Sequence, residues 1–281
     1  MADPVESARR NYAEEICRRN GVSSPALLAA FATVPRERFL GPGPWIIQGE
    51  GMGHVTPDTD PVRVYHDALI VLDESRHLNN GQPSLWAIHL ERLHIRSGDQ
   101  ILHLGCGTGY YTAILAELTG PTGKVTAVEV EEGLAARAHE ALTPWPQVEV
   151  LHADGARGPF EPADAIVVSA GATHPLSAWL AAVKPAGKLL FPLTSTRGPG
   201  TMVLLTRTSP DHFAAALRGQ VFFVDFAGAR NPAVSERLAR ALHRDGGASA
   251  RSLRCDLHEE DSSCWLHGNG WCFSRRKIAL E

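Results

Sequence analysis

An apolar segment that runs straight into closely spaced glycines constrains this chain more than any other feature. It reads Ile101-Leu102-His103-Leu104-Gly105-Cys106-Gly107-Thr108-Gly109-Tyr110-Tyr111. Such a run is the pattern of a buried strand that turns tightly into a helix. The glycines remove side chains where a ligand must touch the backbone. Val125-Thr126-Ala127-Val128 reads as a second strand, and Glu129 stands at its carboxyl end. A carboxylate there can accept hydrogen bonds from both hydroxyls of a ribose. Together these parts describe an α/β sheet that binds an adenosine group.

The dinucleotide fingerprint is Gly-x-Gly-x-x-Gly, whose third glycine opens the helix. Here the third glycine comes one residue early, and Tyr110 follows it. Gly-x-Gly-x-Gly-Tyr with an acid after the second strand resembles the S-adenosylmethionine-dependent methyltransferases of the Rossmann-like class. That cofactor has no pyrophosphate for a helix N-terminus to cradle. The resemblance implies that Gly105, Gly107, Thr108 and Gly109 lie close to its methionine part. Tyr110 either offers an aromatic face to the sulfonium or packs in the core. Residues 147–153 read as a third strand, followed by Asp154-Gly155. Alone that pair is an ordinary turn. In the resembled class an acid at this place takes the adenine amino group, so Asp154 and Gly155 join the cofactor set. Asp164-Ala165-Ile166-Val167-Val168 is nearly all apolar, as a central parallel strand should be.

With 281 residues, 44% of them hydrophobic, the chain can bury a sizeable core. A net charge of −4 argues against a dedicated nucleic-acid binder, and no apolar run approaches the length of a membrane span. The first residues lack the basic and apolar regions of a signal peptide. The cysteines at 17, 106, 255, 264 and 272 form no Cys-x-x-Cys pair, so neither a disulfide framework nor a zinc ribbon is suggested. The expected location is the cytoplasm, with no nucleic-acid or membrane partner.

Residues 5–20 read as an amphipathic helix with a solvated face of Arg9, Arg10, Glu14, Arg18 and Arg19, and Ser23-Ser24-Pro25 caps a second helix over 26–33. Residues 41–61, rich in proline and glycine, read as one long irregular loop. Gly81-Gln82-Pro83-Ser84 opens a helix over 85–93. Strand and helix then alternate to residue 193, with 188–193 as the fifth strand. Residues 201–206 and 220–226 read as an antiparallel pair joined at Thr208-Ser209-Pro210-Asp211. A helix over 231–243 and a strand-rich tail follow. These divisions place N-terminal helices and a long loop in 1–78, a cofactor-binding core in 79–226, and an appendage in 227–281. Within the tail, Cys264, His267 and Cys272 have a metal reading, but their irregular spacing favours free thiols packed beside Trp265 and Trp271, and no metal is expected.

The order of several segments narrows the match. They are Val34-Pro35-Arg36-Glu37-Arg38-Phe39, then Tyr65-His66-Asp67-Ala68-Leu69, then Gly81-Gln82-Pro83, the glycine turn through Thr112-Ala113, Asp154-Gly155, and Pro185-Ala186-Gly187-Lys188-Leu189-Leu190-Phe191-Pro192-Leu193. Over roughly residues 25–195 this order resembles the protein-L-isoaspartate O-methyltransferases. The resemblance implies an α/β fold with a Rossmann-like methyltransferase sheet, mostly parallel with an antiparallel end, flanked by N-terminal helices and a C-terminal appendage. It also implies S-adenosylmethionine as cofactor and a carboxylate acceptor on a peptide or protein. The sequence departs from the pattern where Gly81 stands in place of the serine that the family usually carries beside the transferring methyl group, and in a longer loop between Phe39 and Tyr65 and a larger tail beyond Leu193.

A carboxylate acceptor has a reference pKa of roughly 4 and is already ionised, so it needs no general base. An amine or phenol would want one, and His66, His77 and His174 are the candidates. Asn79, Asn80 and Gln82 carry amides that can hold an acceptor oxygen, although Asn79-Asn80-Gly81 also has the composition of a plain turn. His174 joins them as a candidate acceptor contact, because it follows the fourth strand where pockets open in such sheets. Arg36 and Arg38 could pair with an acceptor carboxylate, or form ion pairs elsewhere. The leading expectation is an O-methyltransferase acting on a peptide or protein carboxylate. Two alternatives stand beside it: a biosynthetic methyltransferase with a small-molecule acceptor, and an S-adenosylmethionine-binding adaptor without turnover.

Overall fold

The computed structural model describes residues 3–48 and 53–278, so residues 49–52 of the long loop lie outside the described residues. The described chain forms two compact units, one of residues 3–99 with 106–152 and the other of 100–105 with 153–278.

In the first unit, helix Pro4–Arg19 begins at Asp3, whose Oδ1 accepts from Val5 N at 3.0 Å. Helix Pro25–Thr33 begins at Ser24, whose hydroxyl accepts from Leu27 N. Both carry proline in the first turn, where a missing N–H does no harm. Tyr12, Ile16, Leu27 and Phe31 fill the space between the helices. The 41–61 segment is not wholly irregular. Ile46–Gln48 pairs antiparallel with His54–Val55 and with Leu69–Asp73, which in turn pairs with Leu78–Asn79. These strands are too short to carry a readable alternation. Helix Pro83–Glu91 follows, and Asp67 Oδ1 accepts from Ser84 N in its first turn at 2.9 Å. Helix Tyr110–Thr119, strand Lys124–Glu129, helix Glu132–Ala141 and strand Val148–His152 complete the unit, the two strands running parallel.

In the second unit, Gln100–Leu104 lies parallel to Ala163–Val168, which lies parallel to Val183–Leu193. Their buried apolar side chains, among them Ile101, Leu104, Ile166, Val167, Leu189 and Leu190, suit strands covered on both faces. Beyond Val183–Leu193 the pairing turns antiparallel through Gly200–Ser209, His212–Val221, Ser252–Arg254, Trp271–Ser274 and Cys264–Gly268. This is the Rossmann-like methyltransferase sheet with an antiparallel end, and that end is lengthened by strands from the tail.

The second strand of the antiparallel pair runs over His212–Val221, earlier than the expected 220–226. The hydrophobic Phe222-Phe223-Val224 run leaves the regular ladder, with Phe222 78% exposed, while Ala214-Ala215-Ala216 pairs without a bulky side chain to announce it. The following residues cross the carboxyl ends of the central strands. Gly171 N donates to Val224 O at 2.7 Å, Phe226 N to Gly171 O at 2.9 Å and Thr173 N to Ala229 O at 3.0 Å. Arg230 Nη1 donates to Thr194 O and Oγ1, both at 2.8 Å, and so fixes this crossing strap. Helix Pro232–Asp245 closes on Gly246 in the left-handed region.

Candidate functional site

The glycine turn is held by the strand that follows it. Cys106 N donates to Val128 O at 3.2 Å, and Gly107 N donates to Glu129 Oε2 at 2.8 Å. Glu129 Oε1 accepts from Glu131 N at 3.0 Å. The carboxylate is 5% exposed and each oxygen keeps a further lone pair, so it can grip the turn and still receive hydroxyl donors. A side chain at Gly107 would meet nothing within 4 Å, which leaves open space over the turn. Gly109 is constrained in both backbone and packing. Its φ is +96°, and a Cβ there would lie 2.7 Å from Leu142 Cδ1. Only glycine lets helix Tyr110–Thr119 start at this place. Thr108 is buried within the turn.

Tyr110 points into the helical core. Its hydroxyl lies 3.2 Å from that of Tyr12, and its ring contacts Phe31, Phe39 and Tyr111. Of the two sequence readings for Tyr110, packing is the one its contacts describe.

The acceptor-segment candidates lie in the same unit. Asn79 Oδ1 accepts from Gly81 N at 2.9 Å, closing a local turn. Asn80 is buried. Its carbonyl oxygen accepts from Ile70 N at 2.9 Å and from Arg36 Nη2 at 3.3 Å, and its Nδ2 has no hydrogen-bond partner among the described residues. Gln82 Nε2 reaches Asp67 Oδ2 at 3.4 Å. Tyr111 donates its hydroxyl to Gly81 O at 3.0 Å, tying this segment to the helix that follows the glycine turn. Gly81 itself has a φ of +75°, and a Cβ there would lie 2.6 Å from Trp86 Nε1.

Arg36 and Arg38 form no ion pair among the described residues. Arg36 is fully buried, and its guanidinium donates to the carbonyls of Val64, His66 and Ala68 while sitting near the rings of Tyr12 and Tyr110. Arg38 Nε donates to Ala141 O at 2.6 Å. Burial, with the Arg36 charge, pushes the His66 pKa down. His77 has a φ of 54° in the turn between strands Leu69–Asp73 and Leu78–Asn79.

In the second unit, Asp154 Oδ1 accepts from Ala156 N at 2.9 Å, and Oδ2 meets the exposed Arg157 Nε at 3.0 Å. Gly155 O accepts from Trp179 Nε1 at 2.8 Å. A Cβ on Gly155 would lie 2.9 Å from Phe226 Cζ, and Phe226 also faces the Gly105 Cβ position at 3.8 Å. Sequence reading missed Phe226 and Trp179, whose rings meet edge to face at a centroid distance of 5.1 Å. Their only signal was aromaticity, which a core position explains equally well. His174 Nδ1 lies 2.9 Å from Thr173 Oγ1, and its ring stacks on Trp271 at 5.8 Å. Burial lowers its pKa.

Comparison with known proteins follows the same lines. The protein-L-isoaspartate(D-aspartate) O-methyltransferase family matches residues 53–231. Protein-L-isoaspartate O-methyltransferase 1 of Rhodopseudomonas palustris (strain HaA2) is 34% identical over 223 residues, covering 78% of this chain and 82% of its own. The protein-L-isoaspartate O-methyltransferase of Methanothermobacter thermautotrophicus is 29% identical over 224 residues, covering 78% and 95%. A solved protein-L-isoaspartate O-methyltransferase shares the fold at a TM-score of 0.65 and 24% identity, over 83% of this chain and 69% of that one. A structure from Plasmodium falciparum, described as a complex of such an enzyme with S-adenosyl-L-homocysteine, shares the fold at a TM-score of 0.63 and 16% identity, over 78% and 98%. By sequence, this chain belongs to the protein-L-isoaspartate(D-aspartate) O-methyltransferase family.

Proposed function

We infer that this chain transfers a methyl group from S-adenosylmethionine to a carboxylate oxygen of a peptide or protein, with isoaspartyl side chains as the acceptor class. The observation that carries the reading is the 2.8 Å hydrogen bond from Gly107 N to Glu129 Oε2, which poises a carboxylate beside an open glycine turn. When bound, the cofactor supplies an electrophilic methyl group on a sulfonium. In this reading Gly105, Gly107, Thr108 and Gly109 give backbone access, Glu129 accepts from the ribose hydroxyls, and Asp154 with Gly155 borders the adenine. Asn79, Asn80, Gln82 and His174 are the acceptor contacts, and the buried Asn80 Nδ2 has no hydrogen-bond partner among the described residues. An acceptor carboxylate arrives ionised, so these residues need only align its oxygen with the sulfur–methyl bond.

The 79–226 segment carries this chemistry, with 1–78 and 227–281 around it. All five cysteines are free thiols, which suits a reducing compartment such as the cytoplasm. No helix among the described residues is long and apolar enough to cross a membrane. The test is methyl transfer from labelled cofactor to an isoaspartyl peptide and to its aspartyl twin. Base-labile label on the isoaspartyl peptide alone, with S-adenosylhomocysteine released in step, is the expected result. Cofactor binding by calorimetry without label on either peptide would refute the acceptor class and leave the small-molecule or adaptor reading.

A further inference from the structure

The tail beyond the family match gathers four soft donors at one point. His258, Cys264, His267 and Cys272 place one ligand atom each within 4.8 Å of one another. Cys264 Sγ lies 3.7 Å from His258 Nε2 and 3.9 Å from His267 Nδ1. Tetrahedral zinc, with bonds of about 2.3 Å to sulfur and about 2.0 Å to nitrogen, sets its ligand atoms roughly 3.3–3.8 Å apart. The cluster is already near that size, and small side-chain rotations close it. We propose that His258, Cys264, His267 and Cys272 form a structural zinc site that clamps the C-terminal tail onto the edge of the sheet.

The surroundings are those of a metal site rather than of stray thiols. The Nδ1 of His258 lies 3.0 Å from Asp256 O and 3.3 Å from Asp256 Oδ2, which directs the Nε2 lone pair into the cluster. Asp261 N donates to Cys264 Sγ at 3.5 Å, and Asp261 Oδ1 lies 3.7 Å from the same sulfur. Both cysteines are buried and free. Two sulfurs and two imidazole nitrogens select zinc over harder cations, and four protein donors leave no open position for catalysis.

The placement explains what the clamp does. Cys264 and His267 lie on strand Cys264–Gly268, Cys272 lies on strand Trp271–Ser274, and His258 comes from the irregular 255–263 segment. A short terminal hairpin is marginal by itself. A cation would tie it to the preceding loop and hold Trp271, one residue from a ligand and on the opposite strand face, against His174. The His-x5-Cys-x2-His-x4-Cys spacing fits no common finger pattern. The fourth donor, His258, is joined to the others only by the fold.

The test uses the full chain. Protein purified under reducing conditions should carry one zinc per chain by elemental analysis. After chelator stripping, titration with cobalt(II) should give thiolate-to-cobalt charge-transfer absorption that saturates at one equivalent and is displaced by zinc. The Cys264→Ser, Cys272→Ser double variant should lose the band, and His258→Gln should weaken it. Stripped protein should melt at a lower temperature and recover on zinc addition. Reduced wild-type protein with neither bound zinc nor cobalt–thiolate absorption would overturn the proposal. So would a Cys264–Cys272 disulfide in the reduced preparation. Neither result bears on methyl transfer.

Discussion

Restoring the serine that the family pattern carries at position 81 separates a lost hydroxyl from a rebuilt turn. Gly81 adopts a φ of +75°, and its missing Cβ would sit 2.6 Å from Trp86 Nε1 and 3.1 Å from both Trp86 Cδ1 and Tyr111 Cε2. Trp86 is 1% exposed and its ring lies 5.0 Å from that of Tyr111, so neither ring has room to withdraw. The left-handed backbone costs a residue with a Cβ about 1–2 kcal/mol. Forcing that Cβ into a packed site adds about 1–3 kcal/mol. Gly81→Ser should therefore destabilise the chain by about 2–5 kcal/mol. Gly81→Ala should cost nearly as much, because the Cβ and not the hydroxyl does the damage. Urea unfolding followed by tryptophan fluorescence measures both, read as a shift of midpoint at constant slope. A serine variant with the parent midpoint and faster transfer to isoaspartyl peptide would refute this reasoning. It would mean that the turn relaxes freely and that the glycine is a simple loss.

Other outcomes follow from single contacts. Glu129→Ala removes the acceptor of Gly107 N and of Glu131 N, and should weaken S-adenosylhomocysteine binding by about 1–3 kcal/mol in calorimetry; unchanged affinity would remove Glu129 from the site. Arg36→Met strands the carbonyls of Val64, His66 and Ala68, and at about 1–3 kcal/mol for each orphaned acceptor it should cost more than a typical substitution; a loss within about 0.5 kcal/mol would contradict the buried hub. Burial drives the His103 pKa down to about 3, so the folded chain holds this ring neutral while the unfolded chain protonates it below about 6.5. The unfolded state thus binds the extra proton, and stability falls as pH drops through that window. At pH 5 the loss from this group is about 2 kcal/mol, and His103→Gln should flatten that part of the stability–pH curve.

The glycine turn and Glu129 were legible because their chemistry is local. Strand, turn and helix follow one another within a few residues, and the backbone requirement at Gly109 admits no other side chain. The parallel strands were legible from their apolar runs. The role of Arg36 was not, because a charge near a proline looks the same whether it meets solvent or three carbonyls some thirty residues away in the chain. The strand His212–Val221 was hidden by its small side chains, while the bulky residues that followed it advertised a strand where the chain had already left the ladder. Phe226, read as a strand end, instead packs against Gly155.

The tail shows the same limit from the other side. Cys264, His267 and Cys272 have spacings that a packed core explains as well as a metal does, because three donors along a chain specify no volume. What changes the reading is His258, which reaches Cys264 Sγ at 3.7 Å and whose ring meets that of His267 at a centroid distance of 4.8 Å. Two buried thiols with two half-buried imidazoles turned onto them place polar ligand atoms facing each other, an arrangement that an apolar core has no reason to build. A cation satisfies all four together. The hairpin that needs such a clamp is also the element that sets Trp271 on His174, so the tail's order and the shape of the wall around His174 rise or fall with the same four side chains.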